Sequence, residues 1–249
     1  MDQDFWVLAA VGAAALLAAG SIKGLTGIGL PTASISLMTL ALDPRTAIAL
    51  IIVPGLIVNA WQVWRMGEIL RAARDYAVFA GTLAVAILLT TAAAAEAPDR
   101  LIFGALGVAV VAFSVINLRF TVPALPARLD RAAQAVLGTV GGVLGGLTAV
   151  WAPPLAVYLM ARRTPKDEFV RATGLLVFAG SVPLCLGYAA QGLLTAPLAG
   201  LSALLVVPAL AGFTLGEWLR RDLPGERFRR IFLYIFLAMG LNLLRRALF

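Results

Sequence analysis

Lys23 sits in an apolar stretch, within the run Gly20-Ser21-Ile22-Lys23-Gly24-Leu25-Thr26-Gly27-Ile28-Gly29-Leu30-Pro31. A related run recurs 122 positions later (142 − 20): Gly142-Val143-Leu144-Gly145-Gly146-Leu147-Thr148-Ala149-Val150-Trp151-Ala152-Pro153. Gly20, Gly24, Leu25, Thr26 and Pro31 correspond to Gly142, Gly146, Leu147, Thr148 and Pro153. Glycine permits left-handed turns and proline removes a backbone donor, so each cluster breaks a helix in mid-segment. A helix restarting at Pro31 or Pro153 presents unpaired N–H groups and the positive end of its dipole. Two such ends meeting would make an anion site from backbone alone. Lys23 adds a cation whose burial at a bilayer centre costs about 2.5–3.5 kcal/mol on the insertion scale. No acidic residue lies nearby in sequence to neutralise it. An anionic ligand would.

The candidate binding residues are therefore Lys23, Gly24, Thr26, Gly27, Gly29, Pro31 and Thr32 in the first run, and Gly146, Thr148, Trp151 and Pro153 in the second. Asn59 and Ser181, which share the same offset (181 − 59 = 122), join them from the following segments. Plainer readings stand beside this one. The pairs Gly20/Gly24, Gly142/Gly146 and Gly212/Gly216 all fit small-xxx-small helix packing. The hydroxyls and Asn59 could bond their own helices or a neighbour. Lys23 could snorkel to an interface. Glu217, close to Arg220, reads as a structural ion pair.

Composition sets the surroundings. The 249 residues are 61% hydrophobic and 13% charged, with mean hydropathy +0.94. A soluble domain of this size could not cover so much apolar surface. The net charge of +7 reads as membrane topology, not as a nucleic-acid surface. The absence of histidine removes His-ligated metals and His general bases. The single Cys185 makes neither a disulfide within the chain nor a metal site. No cofactor is expected, and neither zinc-protease nor Ser-His motifs occur, so an enzyme is not the reading.

Eight hydrophobic blocks position these residues: 5–41, 46–64, 76–95, 101–118, 132–160, 172–190, 197–219 and 231–248. Six have the length of one crossing. Blocks one and five are longer and are the interrupted ones. Lys and Arg cluster in the loops 65–75, 119–131, 162–171 and 220–230, which the positive-inside rule makes cytoplasmic. Block five then enters and returns on the cytoplasmic side, and block one on the other, each as a hairpin of two short helices. The fold expected is all-α and polytopic: two inverted repeats, residues 1–125 and 126–249, each a broken helical hairpin plus three transmembrane helices, in one transmembrane domain. The alternative is eight plain crossings. Trp6, Trp61, Trp64 and Trp218 fall near the expected interfaces.

The paired runs, Lys23-Gly24-Leu25-Thr26-Gly27-Ile28-Gly29-Leu30-Pro31-Thr32 and Gly145-Gly146-Leu147-Thr148-Ala149-Val150-Trp151-Ala152-Pro153-Pro154, resemble the sulfite exporter TauE/SafE family, also called the 4-toluene sulfonate uptake permease family. The likeness covers nearly the whole chain. The commoner pattern of that family has three successive glycines before the proline, whereas here Gly29 is followed by Leu30 and Pro31. The resemblance implies a secondary transporter, an exporter, of sulfur-containing or organic anions such as sulfite, sulfoacetate or sulfonates. Alternating access around a midplane site is the mechanism expected; an anion channel using the same broken helices is the alternative. The partners expected are the small anionic substrate and the lipid bilayer, with no nucleic acid. The place expected is the bacterial inner membrane, with multiple passes.

Overall fold

The computed structural model describes residues 2–67, 69–119, 123–220 and 225–248; a few side chains within these ranges, among them that of Thr26, lie outside the description. Every regular element of the described residues is helical. In chain order they are α1 (Asp2–Thr26), α2 (Leu30–Met38), α3 (Pro44–Met66), α4 (Ile69–Asp75), α5 (Ala77–Glu96) and α6 (Asp99–Arg119). The second half repeats the pattern with α7 (Asp130–Thr148), α8 (Ala152–Ala161), α9 (Lys166–Ala190), α10 (Ala196–Leu204), α11 (Val206–Arg220) and α12 (Gly225–Leu248). Five stretches are long and apolar enough to cross a membrane, within α1, α3, α5, α9 and the α10–α11 pair. The chain is a polytopic, all-helical membrane protein.

Local chemistry explains the boundaries. Asp43 caps α3, its side chain accepting from the Thr46 N–H at 2.9 Å, with Pro44 in the first turn where no N–H is needed. Pro31, Pro153 and Pro197 occupy the first turns of α2, α8 and α10. The interrupted blocks differ from expectation in one respect. Only their second arms are short; α1 and α7 run 25 and 19 residues. Gly12, Gly20 and Gly24 do not end α1, because a helical glycine is tolerated where it admits a close neighbour: the Leu205 side chain at Gly12, and the α11 backbone at Gly20 and Gly24. The helix stops only at Gly27, where φ turns to 83°.

The halves interlock. α1 packs along α11 of the second half, and α7 along α5 of the first. α3 lies against α9, and α6 against α12. Exchanging the halves turns the first two pairings into each other and each of the last two into itself. Glycines make both crossings close. A Cβ at Gly24 would lie 2.7 Å from the Glu217 backbone nitrogen, and one at Gly142 only 2.6 Å from the Leu83 carbonyl oxygen. Gly212 and Gly216 face Leu17, Ser21 and Leu25 in return.

Polar contacts at the helix ends join loops that the charge pattern assigns to one side. Arg45 pairs with Asp99 at 2.7 Å, linking loops 43–45 and 96–100. On the other side Arg65 pairs with Glu217. Glu217 thus has its partner across the α3–α11 interface; the side chain of Arg220, the neighbour expected to pair with it, lies outside the described residues. The Leu125 N–H donates to the Ala161 carbonyl at 2.8 Å, which brings the two ends of block five together. Tyr158 donates to Asp130 at 2.9 Å, Arg162 donates to the Tyr158 oxygen at 3.1 Å, and Gln134 bonds Asp130 and the Asp75 carbonyl. Tyr76, between α4 and α5, donates to Glu168 at 2.8 Å. Burial first, and that carboxylate second, hold its hydroxyl above the usual tyrosine range. Trp6, Trp64 and Trp218 are exposed on the outer surface, and Trp61 borders them.

The close crossings make a prediction. Gly142→Leu should destabilise the protein by about 1–3 kcal/mol through overpacking. Gly81→Ala, with open space around its added methyl, should leave stability equal or slightly higher. Thermal unfolding in detergent compares the two.

Candidate functional site

Both breaks share two backbone hydrogen bonds, although Gly29 is left-handed at φ 100° and its equivalent Trp151, at φ −124°, is not. The Gly27 N–H donates to the Lys23 carbonyl at 2.6 Å, and the equivalent Ala149 N–H to the Gly145 carbonyl at 2.7 Å. Gly27 has φ 83° and Ala149 φ 57°, so an alanine takes the left-handed conformation in the second copy. Beyond the turn, the Ala33 N–H donates to the Gly29 carbonyl at 2.9 Å and the Leu155 N–H to the Trp151 carbonyl at 3.3 Å. Neither Gly29 nor Trp151 supplies a side-chain cap to the helix it precedes. The first turns of α2 and α8 therefore keep free backbone donors, fewer at α8 because Pro153 and Pro154 have none.

A broken helix must find partners for the carbonyls it releases. The Gly27 oxygen finds three. It accepts from Lys23 Nζ at 3.3 Å, Gln62 Nε2 at 3.4 Å and Thr173 Oγ1 at 3.3 Å. Gln62 and Thr173 also bond the Val170 carbonyl, at 2.6 and 2.9 Å, which ties the break to α9. Lys23, only 1% exposed, donates to Asn59 Oδ1 at 2.7 Å. Asn59 is oriented for this by its own Nδ2, which donates to the Gly55 carbonyl at 2.5 Å. The partners recorded for the ammonium are thus two neutral oxygens.

Between the breaks lies a small cavity of ≈ 10 Å³, lined by Lys23, Gly29, Pro31, Thr32, Ala149, Val150, Trp151, Ala152 and Val177. That is room for about one water. Thr32 Oγ1 and Trp151 Nε1 are buried here without a hydrogen-bond partner among the described residues. Buried polar groups are normally paired, so two idle ones beside a buried lysine are exceptions that call for a partner. The second copy has no lysine, and the space is used otherwise. A Cβ at Gly145 would meet Trp151 Cε3 at 2.8 Å, and one at Gly180 would meet Trp151 Cζ2 at 2.7 Å. The indole fills the room a second long side chain would need.

Of the residues named from sequence, Lys23, Gly29, Pro31, Thr32 and Trp151 line the cavity, with Gly27 and Asn59 one hydrogen bond behind. Gly24 and Gly146 lie against α11 and α5 instead, as helix-packing contacts. Thr148 holds the second break, donating to the Leu144 carbonyl at 2.6 Å and accepting from the Val150 N–H at 3.3 Å. Pro153 is buried in the first turn of α8. Ser181 bonds the Val177 carbonyl at 2.8 Å, one turn beyond the cavity wall. The Thr26 side chain is outside the described residues. Sequence reading passed over Thr173 and Val177, which have no counterpart in either run, and gave Gln62 no place among the candidates. A glutamine in a hydrophobic segment was the available signal.

A larger cleft of ≈ 80 Å³ opens at the other end of α9, lined by Arg71, Asp75, Tyr76, Glu168 and Arg171 with Ala72 and Ala172. Its lining mixes acids and bases. Ala172 and Val177 are separated by about 7.5 Å of helix rise, and the Gly27–Gln62–Thr173 cluster bonds to α9 at that level.

One family model, described as Sulfite exporter TauE/SafE, matches residues 12–243. No curated protein and no solved structure matches the chain.

The left-handed turns give a direct test. Gly27→Ala should cost about 1–2 kcal/mol in stability, since its φ is unfavourable to any side chain and the new methyl would press on Val170 Cγ2 at 3.3 Å. Ala149→Gly should cost nothing or stabilise. Denaturant unfolding of the two variants reads the difference.

Proposed function

We infer function from one premise: this chain belongs to the sulfite exporter TauE/SafE family. It is a multi-pass membrane protein of a transporter family for sulfite or related anions. Within that frame we propose a secondary carrier, working as an exporter in a bacterial inner membrane. Its substrate would be a small sulfur-containing or organic anion such as sulfite, sulfoacetate or a sulfonate. The observation that supports this reading most is Lys23, a buried ammonium held by neutral oxygens and bordering a cavity with idle donors. A buried cation is stabilised by an opposite charge placed with hydrogen bonds. An oxyanion would take an N–H from Lys23, the Thr32 hydroxyl, the Trp151 indole N–H and the free backbone donors of α2. Asn59 would aim the ammonium; Gly27, Gly29 and Pro31 would shape the first half of the pocket.

Alternating access fits the small size of the cavity, which must widen before it could hold any such anion. The halves, residues 1–125 and 126–249, would be inverted repeats. The pairing of α1 with α11 and α5 with α7 supports that arrangement. It also refines the motion, since each broken hairpin would move with the helix of the other half that it packs on. A pore open at the same place would be a channel, and trans-stimulated exchange of labelled anion separates the two: a carrier shows counterflow.

Lys23→Ala should lose at least tenfold in affinity for the best ligand among sulfite, sulfate, thiosulfate, sulfoacetate and taurine in a thermal-shift screen, while still folding. Wild-type affinity in that variant would refute the site. Thr148→Val should lose less, because its hydroxyl serves the backbone. Asn59→Asp should weaken anion binding as strongly as Lys23→Ala, since a carboxylate would then neutralise the ammonium in place of the substrate.

A further inference from the structure

The donors on Lys23 count out in a specific way. An ammonium has three N–H groups and an amine two. The cradle offers two acceptors, Asn59 Oδ1 at 2.7 Å and the Gly27 carbonyl at 3.3 Å. Among the described residues nothing accepts the third N–H, while the side chain borders the cavity. An amine is fully satisfied as a donor by this cradle. An ammonium needs an acceptor in the cavity for its third N–H, and its charge is answered only when that acceptor is an anion. Charged groups on the packed elements do not supply that negative charge. On α11, Glu217 pairs with Arg65 of α3. Arg45 of α3 pairs with Asp99, and α2 has no charged residue. α12 brings Arg230, Arg245 and Arg246. Across the cavity, Asp130 of α7 faces Arg162 and Tyr158, while on α9 Glu168 accepts from Tyr76 and Asp167 and Arg171 lie in its first turns. Among the described residues, no hydrogen bond or ion pair joins any of them to Lys23.

Resting on the anion-carrier reading above, we propose that Lys23 carries a proton along with the substrate, so that transport is an electroneutral symport of one proton with one monoanion. With the anion bound, Nζ is an ammonium and gives its third N–H to the oxyanion. When the anion leaves, the ammonium would be left buried without a counter-charge, a state that buried groups escape by neutralising. The proton departs from Nζ to water on the side where the anion departs, and the nitrogen keeps its lone pair. The empty carrier returns with a neutral amine on Asn59 and Gly27. Per cycle one proton and one anion cross together, and no net charge moves.

Proteoliposomes test this with methanesulfonate, whose own charge is constant near neutral pH, and a pH dye in the lumen. Inward flux through the wild type should acidify the lumen by one proton per anion, at a rate independent of a potassium–valinomycin clamp. Lys23→Arg keeps the charge but cannot release it. Net flux through that variant should fall at least tenfold, and acidification should disappear. Wild-type flux without proton movement, or flux that follows the membrane potential, would overturn the coupling even if counterflow is intact. Because the wild-type stoichiometry is measured alone, the outcome stands if the arginine variant fails to fold. A wild type without counterflow for methanesulfonate or sulfite would instead defeat the carrier reading, and this proposal with it.

Discussion

One constraint organises the centre of this molecule: the side-chain nitrogen of Lys23 is held away from water by neutral oxygens. A cation there is tolerable only if its hydrogen bonds are made and its charge is answered. The first condition accounts for the break in α1. Stopping the helix at Gly27 releases a carbonyl that turns back on Lys23, and Asn59, fixed by the Gly55 carbonyl, supplies the second acceptor. The second condition is left open within the protein. That openness sets the site apart from an ordinary buried ion pair, which would be closed by a carboxylate and would have nothing to bind.

Duplication explains the frame, and divergence explains the site. The two breaks share their left-handed position, their capping bonds and the proline that starts the next helix. They differ where chemistry is done. The first copy has a lysine and idle hydroxyl; the second has glycine at the lysine position and a tryptophan lying across it. Two facing copies of the lysine would put like charges into one small cavity. Replacing one by an indole keeps a donor, fills the volume and leaves the charge at one. The close glycine crossings hold α1 against α11 and α7 against α5 through backbone contact rather than long side chains.

Much of this was legible in the residues. Hydropathy placed the helices, the glycine–proline clusters located both breaks, and Lys23 stood out because lysine in an apolar run is costly. The roles within the clusters were less legible. Glycines serving a break and glycines serving a crossing look alike in one dimension: Gly27 turns the chain while Gly24, three residues earlier, admits α11. The length of α1 was missed for the same reason, since its glycines face a neighbour and do not interrupt it. Thr173 was invisible because its partner, the Gly27 carbonyl, is 146 residues away and exists as a free acceptor only after the helix breaks.

The account rests on an anion being bound at Nζ of Lys23, between the two breaks. The most direct measurement is a crystal structure of the protein soaked in selenite, with data collected at the selenium edge. The account predicts one strong anomalous peak within hydrogen-bonding distance of Lys23 Nζ, between the first turns of α2 and α8. A peak only in the cleft between Arg71 and Arg171, with none at the central cavity, would contradict it.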